Sequence, residues 1–153
     1  MQTITPFLTF KEKAEEAINL YVSIFKNSSI EGIFRYEEDG MLPKGSVMHA
    51  IFKLNGQEFR AMDGGPMFPF EQGFSVFVYC DTQEEIDTAW NALKEGGEEQ
   101  MCGWVKDKYG LSWQIIPRAL GDIMSGPDQE RAGRMVPLML GMRKLVIKEL
   151  EEA

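Results

Sequence analysis

Two stretches of this 153-residue chain carry the same apolar stripe at the same spacing. Ala14, Ala17, Ile18 and Tyr21 fall three or four apart, and 72 positions further on Ile86, Ala89, Trp90 and Leu93 repeat the pattern. Each stripe covers one side of a 3.6-residue helix and has to be buried against another layer. The surroundings repeat as well. The extended run Ile4–Phe10 precedes the first helix, and Ile30–Tyr36, Ser46–Leu54 and Gln57–Met62 follow it. Asn55-Gly56 between the last two predicts a tight hairpin, because both residues tolerate the positive φ of a type I′ turn. In the second half Phe74–Cys80 precedes a helix that starts at Asp81 or Thr82, with Glu84 and Glu85 in its first turn. Gly96-Gly97 ends that helix, and short extended pieces near Glu99–Met101 and Trp104–Lys106 lead to a last strand, Leu111–Pro117. The expectation is an α+β fold made of a duplicated βαβββ unit, with Gly64–Gly73 as the loop between the copies. A solenoid would need at least three shorter repeats.

After Pro117 the pattern turns helical, with Leu120, Ile123, Met124, Ala132, Met135, Val136, Leu138, Met139, Met142, Val146 and Leu150 as its apolar positions. They extend round more than one helical face. That predicts helices packing against a second copy of the chain, with core filling by the methionines as the alternative.

Composition limits the partners. Sixteen Lys+Arg against 24 Asp+Glu give a net charge of −8, the wrong sign for gripping a phosphate backbone, so nucleic acid is not an expected partner. Cys80 and Cys102 are too few and too far apart for a disulfide framework or a Cys-x-x-Cys site, and they fit a reducing cytoplasm. No run of 18 apolar residues and no basic, apolar leader is present, so neither a membrane nor export is expected. The single histidine, His49, excludes any site that needs two histidine ligands from one subunit.

The stretch Lys106-Asp107-Lys108-Tyr109-Gly110-Leu111-Ser112-Trp113-Gln114 resembles the Asp-x-x-Gly-x-x-Trp signature that closes the second βαβββ module in the vicinal oxygen chelate superfamily, which holds glyoxalase I, bleomycin-resistance proteins and extradiol dioxygenases. Cys102-Gly103-Trp104, Glu85-Ile86-Asp87 with Trp90, Gly96-Gly97 and the tail from Met142 to Leu150 are similar to its PhnB-like branch, labelled 3-demethylubiquinone-9 3-methyltransferase. The resemblance implies one domain over residues 1–153: module one at about 1–66, module two at about 72–118 and a helical tail at 119–153. The modules would form a cupped mixed sheet whose hollow takes a small molecule, in a homodimer.

Metal-using members of that superfamily place ligands on the first and last strands of each module. Carried over, those positions fall at Thr5 or Phe7, at Ala61, Met62 or Asp63, at Phe74 or Ser75, and at Gln114 in place of a glutamate. Only Asp63 offers a carboxylate, so no metal and no other cofactor is expected.

The candidate ligand-binding residues are therefore His49, Asp63, Trp104, Gln114 and Phe7. Strict alternation would set His49 on one face with Val47 and Ile51, either as a general acid–base group in the hollow or as a structural histidine under a helix. Gln114 can orient a ligand oxygen or make a cross-strand bond. Trp104, Phe68 and Phe70 can wall a planar ligand, whereas Trp113 reads as core and Cys102 as an inert buried thiol. The resulting function is that of a small-molecule-binding protein. The alternatives are a lyase, isomerase or dioxygenase of the superfamily, or a methyltransferase as the branch label says. A Rossmann-type S-adenosylmethionine site would want a Gly-rich strand-to-helix turn that this sequence lacks.

Overall fold

In the computed structural model, which describes residues 1–153, β1 (Phe7–Phe10) runs parallel to β4 (Gln57–Asp63). The strand β4 is also antiparallel to β3 (Val47–Leu54), which in turn pairs with β2 (Ser29–Arg35), giving the order β1-β4-β3-β2. Helix α1 (Ala14–Ile24) packs its predicted stripe of Ala14, Ala17, Ile18 and Tyr21, all fully buried, against this sheet. The hairpin between β3 and β4 turns at Asn55 (φ 49°) and Gly56 (φ 80°), the two left-handed positions a type I′ turn demands. These elements make one compact unit, Met1–Phe70.

Glu71–Ala153 is a second unit. Its sheet has the order β5-β8-β7-β6, with β5 (Ser75–Cys80) parallel to β8 (Ser112–Pro117), and β7 (Trp104–Lys106) antiparallel both to β8 and to the two-residue β6 (Glu98–Glu99). Helix α2 (Gln83–Lys94) covers it with Ile86, Ala89, Trp90 and Leu93. Thr82 caps α2 by accepting from the Glu85 amide at 3.2 Å, and the Glu85 carboxylate reaches back to the Asp81 amide at 2.7 Å. Two four-stranded mixed sheets, each holding one parallel pair and one covering helix, are the α+β pattern that the duplicated stripe predicts.

The tail is helical as predicted, in three pieces: α3 (Arg118–Ser125), α4 (Gln129–Leu140) and α5 (Ile147–Glu151). Gly126-Pro127 separates the first two, since Pro127 has no N–H to extend the ladder. Gln83 holds the approach to α5 by donating to the Leu145 carbonyl at 3.1 Å and accepting from the Ile147 amide at 2.8 Å. Leu120, Met135, Leu145 and Leu150 join Ile116 in a core of this unit's own, so part of the apolar tail is buried within the chain. Val136, Leu138 and Leu140 stay exposed.

The first unit contains one buried charge, Asp63, at the end of β4. Helix α1 begins after Lys13, which has left-handed backbone (φ 65°) and offers no side-chain cap. Asp63 supplies the cap from 49 residues away: Oδ1 accepts from the Ala14 amide at 2.9 Å, and Oδ2 accepts from the Val47 amide at 2.8 Å. Removing the carboxylate leaves two buried N–H groups unpaired, at roughly 1–3 kcal/mol each. Asp63→Ala is therefore expected to lower the unfolding free energy by about 3 kcal/mol in urea denaturation, and Asp63→Asn by less. A loss below about 1 kcal/mol for the alanine variant would show that these bonds do not hold the unit together.

Candidate functional site

Away from α1, the sheet of the first unit keeps an uncovered face. Along β4 the residues alternate, with Phe59, Ala61 and Asp63 buried and Glu58, Arg60 and Met62 partly open. Along β1, Leu8 and Phe10 are buried and Phe7 is 46% exposed. Strand β3 departs from strict alternation. The register pairs Phe34 with His49 and Arg35 with Val47, which leaves Met48 as an extra residue. Val47 is buried like Ala50 and Phe52, whereas Met48 and His49 are not. The expected shared face of Val47 and His49 is thus corrected by a bulge, a feature that alternation cannot foresee.

The bulge puts the histidine in a diagonal row drawn from all four strands, since Arg60 is in register with Ile51 and reaches His49 two residues along β3. Phe7 on β1 is in register with Arg60 on β4, and Phe34 on β2 is in register with His49 on β3. The rings of Phe7 and Phe34 lie 5.8 and 6.4 Å from the imidazole. Arg60 Nη1 is 3.0 Å from His49 Nε2. A guanidinium only donates, so Nε2 is the acceptor and the ring proton sits on Nδ1. The Nε2 lone pair is therefore covered, and proton transfer through that atom requires Arg60 to move first. Arg60 is steadied through its backbone, where its amide donates to the Pro6 carbonyl at 3.0 Å. It also makes a long 3.4 Å contact from Nε to Glu58, which accepts from Thr5 Oγ1 at 3.2 Å.

At the far end of this face the chain leaves β4 through Gly64-Gly65. A Cβ on Gly64 would collide with Thr9 and Phe68, and Gly65 has φ 84°, so glycine is what lets the loop fold Phe68 back onto the sheet edge. Phe70 packs edge-on against Phe10 at 5.1 Å.

Gln114 and Trp104 belong to the second unit, where they are cross-strand partners. Gln114 donates from Nε2 to Ser75 Oγ at 3.0 Å, which is the cross-strand bond its chemistry allowed. Phe77, in register with Gln114, and Tyr79 are about half exposed and meet edge-to-face at 4.8 Å, with the Arg118 guanidinium 5.0 Å above the tyrosine ring. Trp113 is buried, and its indole donates to Asp107 Oδ2 at 3.0 Å. Asp107 Oδ1 also accepts from the Tyr109 and Leu111 amides, and Gly110 supplies φ 93°. The Asp-x-x-Gly-x-x-Trp signature is thus a turn lock.

The two cysteines sit in different settings. Burial, aided by Glu85 and Asp81, pushes the Cys80 thiol up to about 11. Cys102 is half-buried rather than buried and sits in a turn with φ 59°.

The residues do not fit the superfamily's metal. No group of three or more His, Cys, Asp or Glu is placed to hold an ion. Both oxygens of Asp63 accept backbone amides, and His49 Nε2 faces a cation.

Of this cluster, Phe7 and His49 are among the candidates singled out from the sequence, whereas Arg60 and Phe34 are not. The signal for Arg60 was available in Gln57-Glu58-Phe59-Arg60-Ala61, where charge and apolarity alternate along a strand and mark an open position in mid-sheet.

Residues 2–116 match the family described as 3-demethylubiquinone-9 3-methyltransferase. The chain belongs to that family. Among solved structures it is similar to the PhnB protein from Bacillus cereus, at 44% identity and a TM-score of 0.72 over 76% of this chain and 99% of that one. A structure from Pseudomonas aeruginosa shares 25% identity with a TM-score of 0.64, over 76% of this chain and 98% of that one. A fosfomycin resistance protein from Listeria monocytogenes, solved with Mn(II) and sulfate, shares the fold at 13% identity and a TM-score of 0.55, over 75% and 91% of the two chains. These likenesses carry the resemblance to the vicinal oxygen chelate fold. A comparison with curated proteins gives no match.

Proposed function

We propose that this family member binds a small organic molecule on the open face of its first sheet. The observation that carries the reading is the row Phe7, Arg60, His49 and Phe34, in which exposed rings flank a hydrogen-bonded polar pair that α1 does not cover. Apolar rings together with a few convergent polar groups are the lining a small-molecule site uses. Trp104 and Gln114 form a separate aromatic–amide pair within the sheet of the second unit, a candidate binding pair of its own. Asp63 supports the first-sheet site as the residue that holds the start of β3 in place.

Methyl transfer from S-adenosylmethionine has less support. A Rossmann-type site needs a doubly wound parallel sheet, and each sheet here is mixed with a single parallel pair. A thermal-shift screen of small metabolites, S-adenosylmethionine among them, tests the reading. At least one metabolite is expected to raise the melting temperature saturably, with the shift lost in Phe7→Ser and His49→Gln, while S-adenosylmethionine leaves it unchanged. A saturable shift with S-adenosylmethionine alone would favour the methyltransferase instead.

The protein is further proposed to act in the cytoplasm as a homodimer. Two free cysteines suit a reducing compartment, and no helix is long and apolar enough to cross a membrane. Val136 and Leu140, one turn apart on α4 and both exposed, supply the apolar contact. Sedimentation at micromolar concentration is expected to give twice the chain mass, and Val136→Glu with Leu140→Glu the chain mass. A monomeric native protein would refute the assembly.

A further inference from the structure

The chemistry of the ligand follows from a count of hydrogen-bond groups on the open face, on the reading that this face is the binding site. Arg60 has five N–H donors; one meets His49 Nε2, and Nε makes the long contact with Glu58. The rest of the guanidinium has no protein acceptor, and its side chain is 38% exposed. His49 carries its remaining proton on Nδ1, another donor without a protein partner. The acceptor side is poorer. Glu58 is the carboxylate that touches Arg60, and it is already engaged by Thr5 Oγ1 as well. The face is therefore rich in unused donors, and a guanidinium fork matches two oxygens on one carbon. On either side stand Phe7 and Phe34, each about half exposed and within ring-contact range of the imidazole, so a flat apolar body beside the acid group would find ring surface.

We propose that this face recognises a planar carboxylate, with the acid group on the Arg60 guanidinium and the ring against Phe7 and Phe34. Binding draws Arg60 toward the ligand and so releases the lone pair of His49 Nε2. In the free protein Glu58 is the competing anion, and Glu58→Gln tightens binding by removing it.

Benzoate, benzamide and acetate are the probes, titrated into full-length protein labelled with ¹⁵N. Benzoate is expected to shift the amides of Phe7, Phe34 and Arg60 and the ring of His49 saturably. Benzamide, which lacks the charge, and acetate, which lacks the ring, are expected to bind at least about tenfold more weakly. Arg60→Gln should abolish the preference for benzoate over benzamide, with Arg60→Lys restoring part of it, and circular dichroism of both variants should match the native protein. Equal affinity for benzoate and benzamide at this face, or an undiminished preference in Arg60→Gln, overturns the carboxylate assignment. A metabolite from the thermal-shift screen that shifts Phe7 and His49 but carries no acid group overturns it too, while leaving ligand binding at this face intact. Shifts from both benzoate and the screened metabolites confined to residues elsewhere overturn the assignment and the site together.

Discussion

The geometry of the first sheet turns on one buried carboxylate. Asp63 ends β4 on the core side and spends its two oxygens on the amides of Ala14 and Val47, so a single side chain fixes where α1 starts and where β3 enters the sheet. Val47 is thereby held inward. Strict alternation from that point would bury His49 as well, two residues on. The extra residue at Met48 resets the alternation, and the only histidine of the chain comes out on the open face beside Arg60. The candidate site is thus downstream of a hydrogen bond made on the opposite side of the sheet.

The second unit uses the same device at another place. Asp107 ties the Tyr109 and Leu111 amides and the Trp113 indole to one carboxylate, and β8 starts from that turn. This explains why the most recognisable stretch of the sequence identifies the family but says little about chemistry. Its residues are occupied in holding a turn and filling a core. The side chains that meet solvent, Phe77 and Tyr79 on β5 and Gln114 on β8, lie outside the invariant letters of that pattern.

Much of the architecture was legible because it rests on periodicity and on turn chemistry. The two helix stripes, the Asn55-Gly56 hairpin and the Thr82 cap are all local, and each is present as read. What escaped the sequence is non-local. The cap of α1 arrives from Asp63 rather than from a neighbouring Ser, Thr or Asn, and a one-residue bulge reverses a face without leaving a compositional mark. The tail is helical as expected, and its apolar residues serve two purposes that periodicity does not separate. Met135, Leu145 and Leu150 pack inside the unit, while Val136, Leu138 and Leu140 face out. For the site, Phe7 and His49 were readable as residue types at strand positions. Their partners were not, since Arg60 and Phe34 become neighbours only through strand pairing.

The candidate site depends on the pairing of Arg60 with His49, and a chain with one histidine allows a direct reading of it. Long-range ¹H–¹⁵N correlation of the imidazole in uniformly ¹⁵N-labelled protein, at a pH where the ring is neutral, gives one set of signals with no assignment problem. The expected spectrum is that of a single Nδ1–H tautomer with Nε2 as an unprotonated acceptor, reverting toward the free-imidazole mixture in Arg60→Gln. A ring protonated at Nε2 in the native protein would contradict the account, because that nitrogen would then have nothing to accept from the guanidinium.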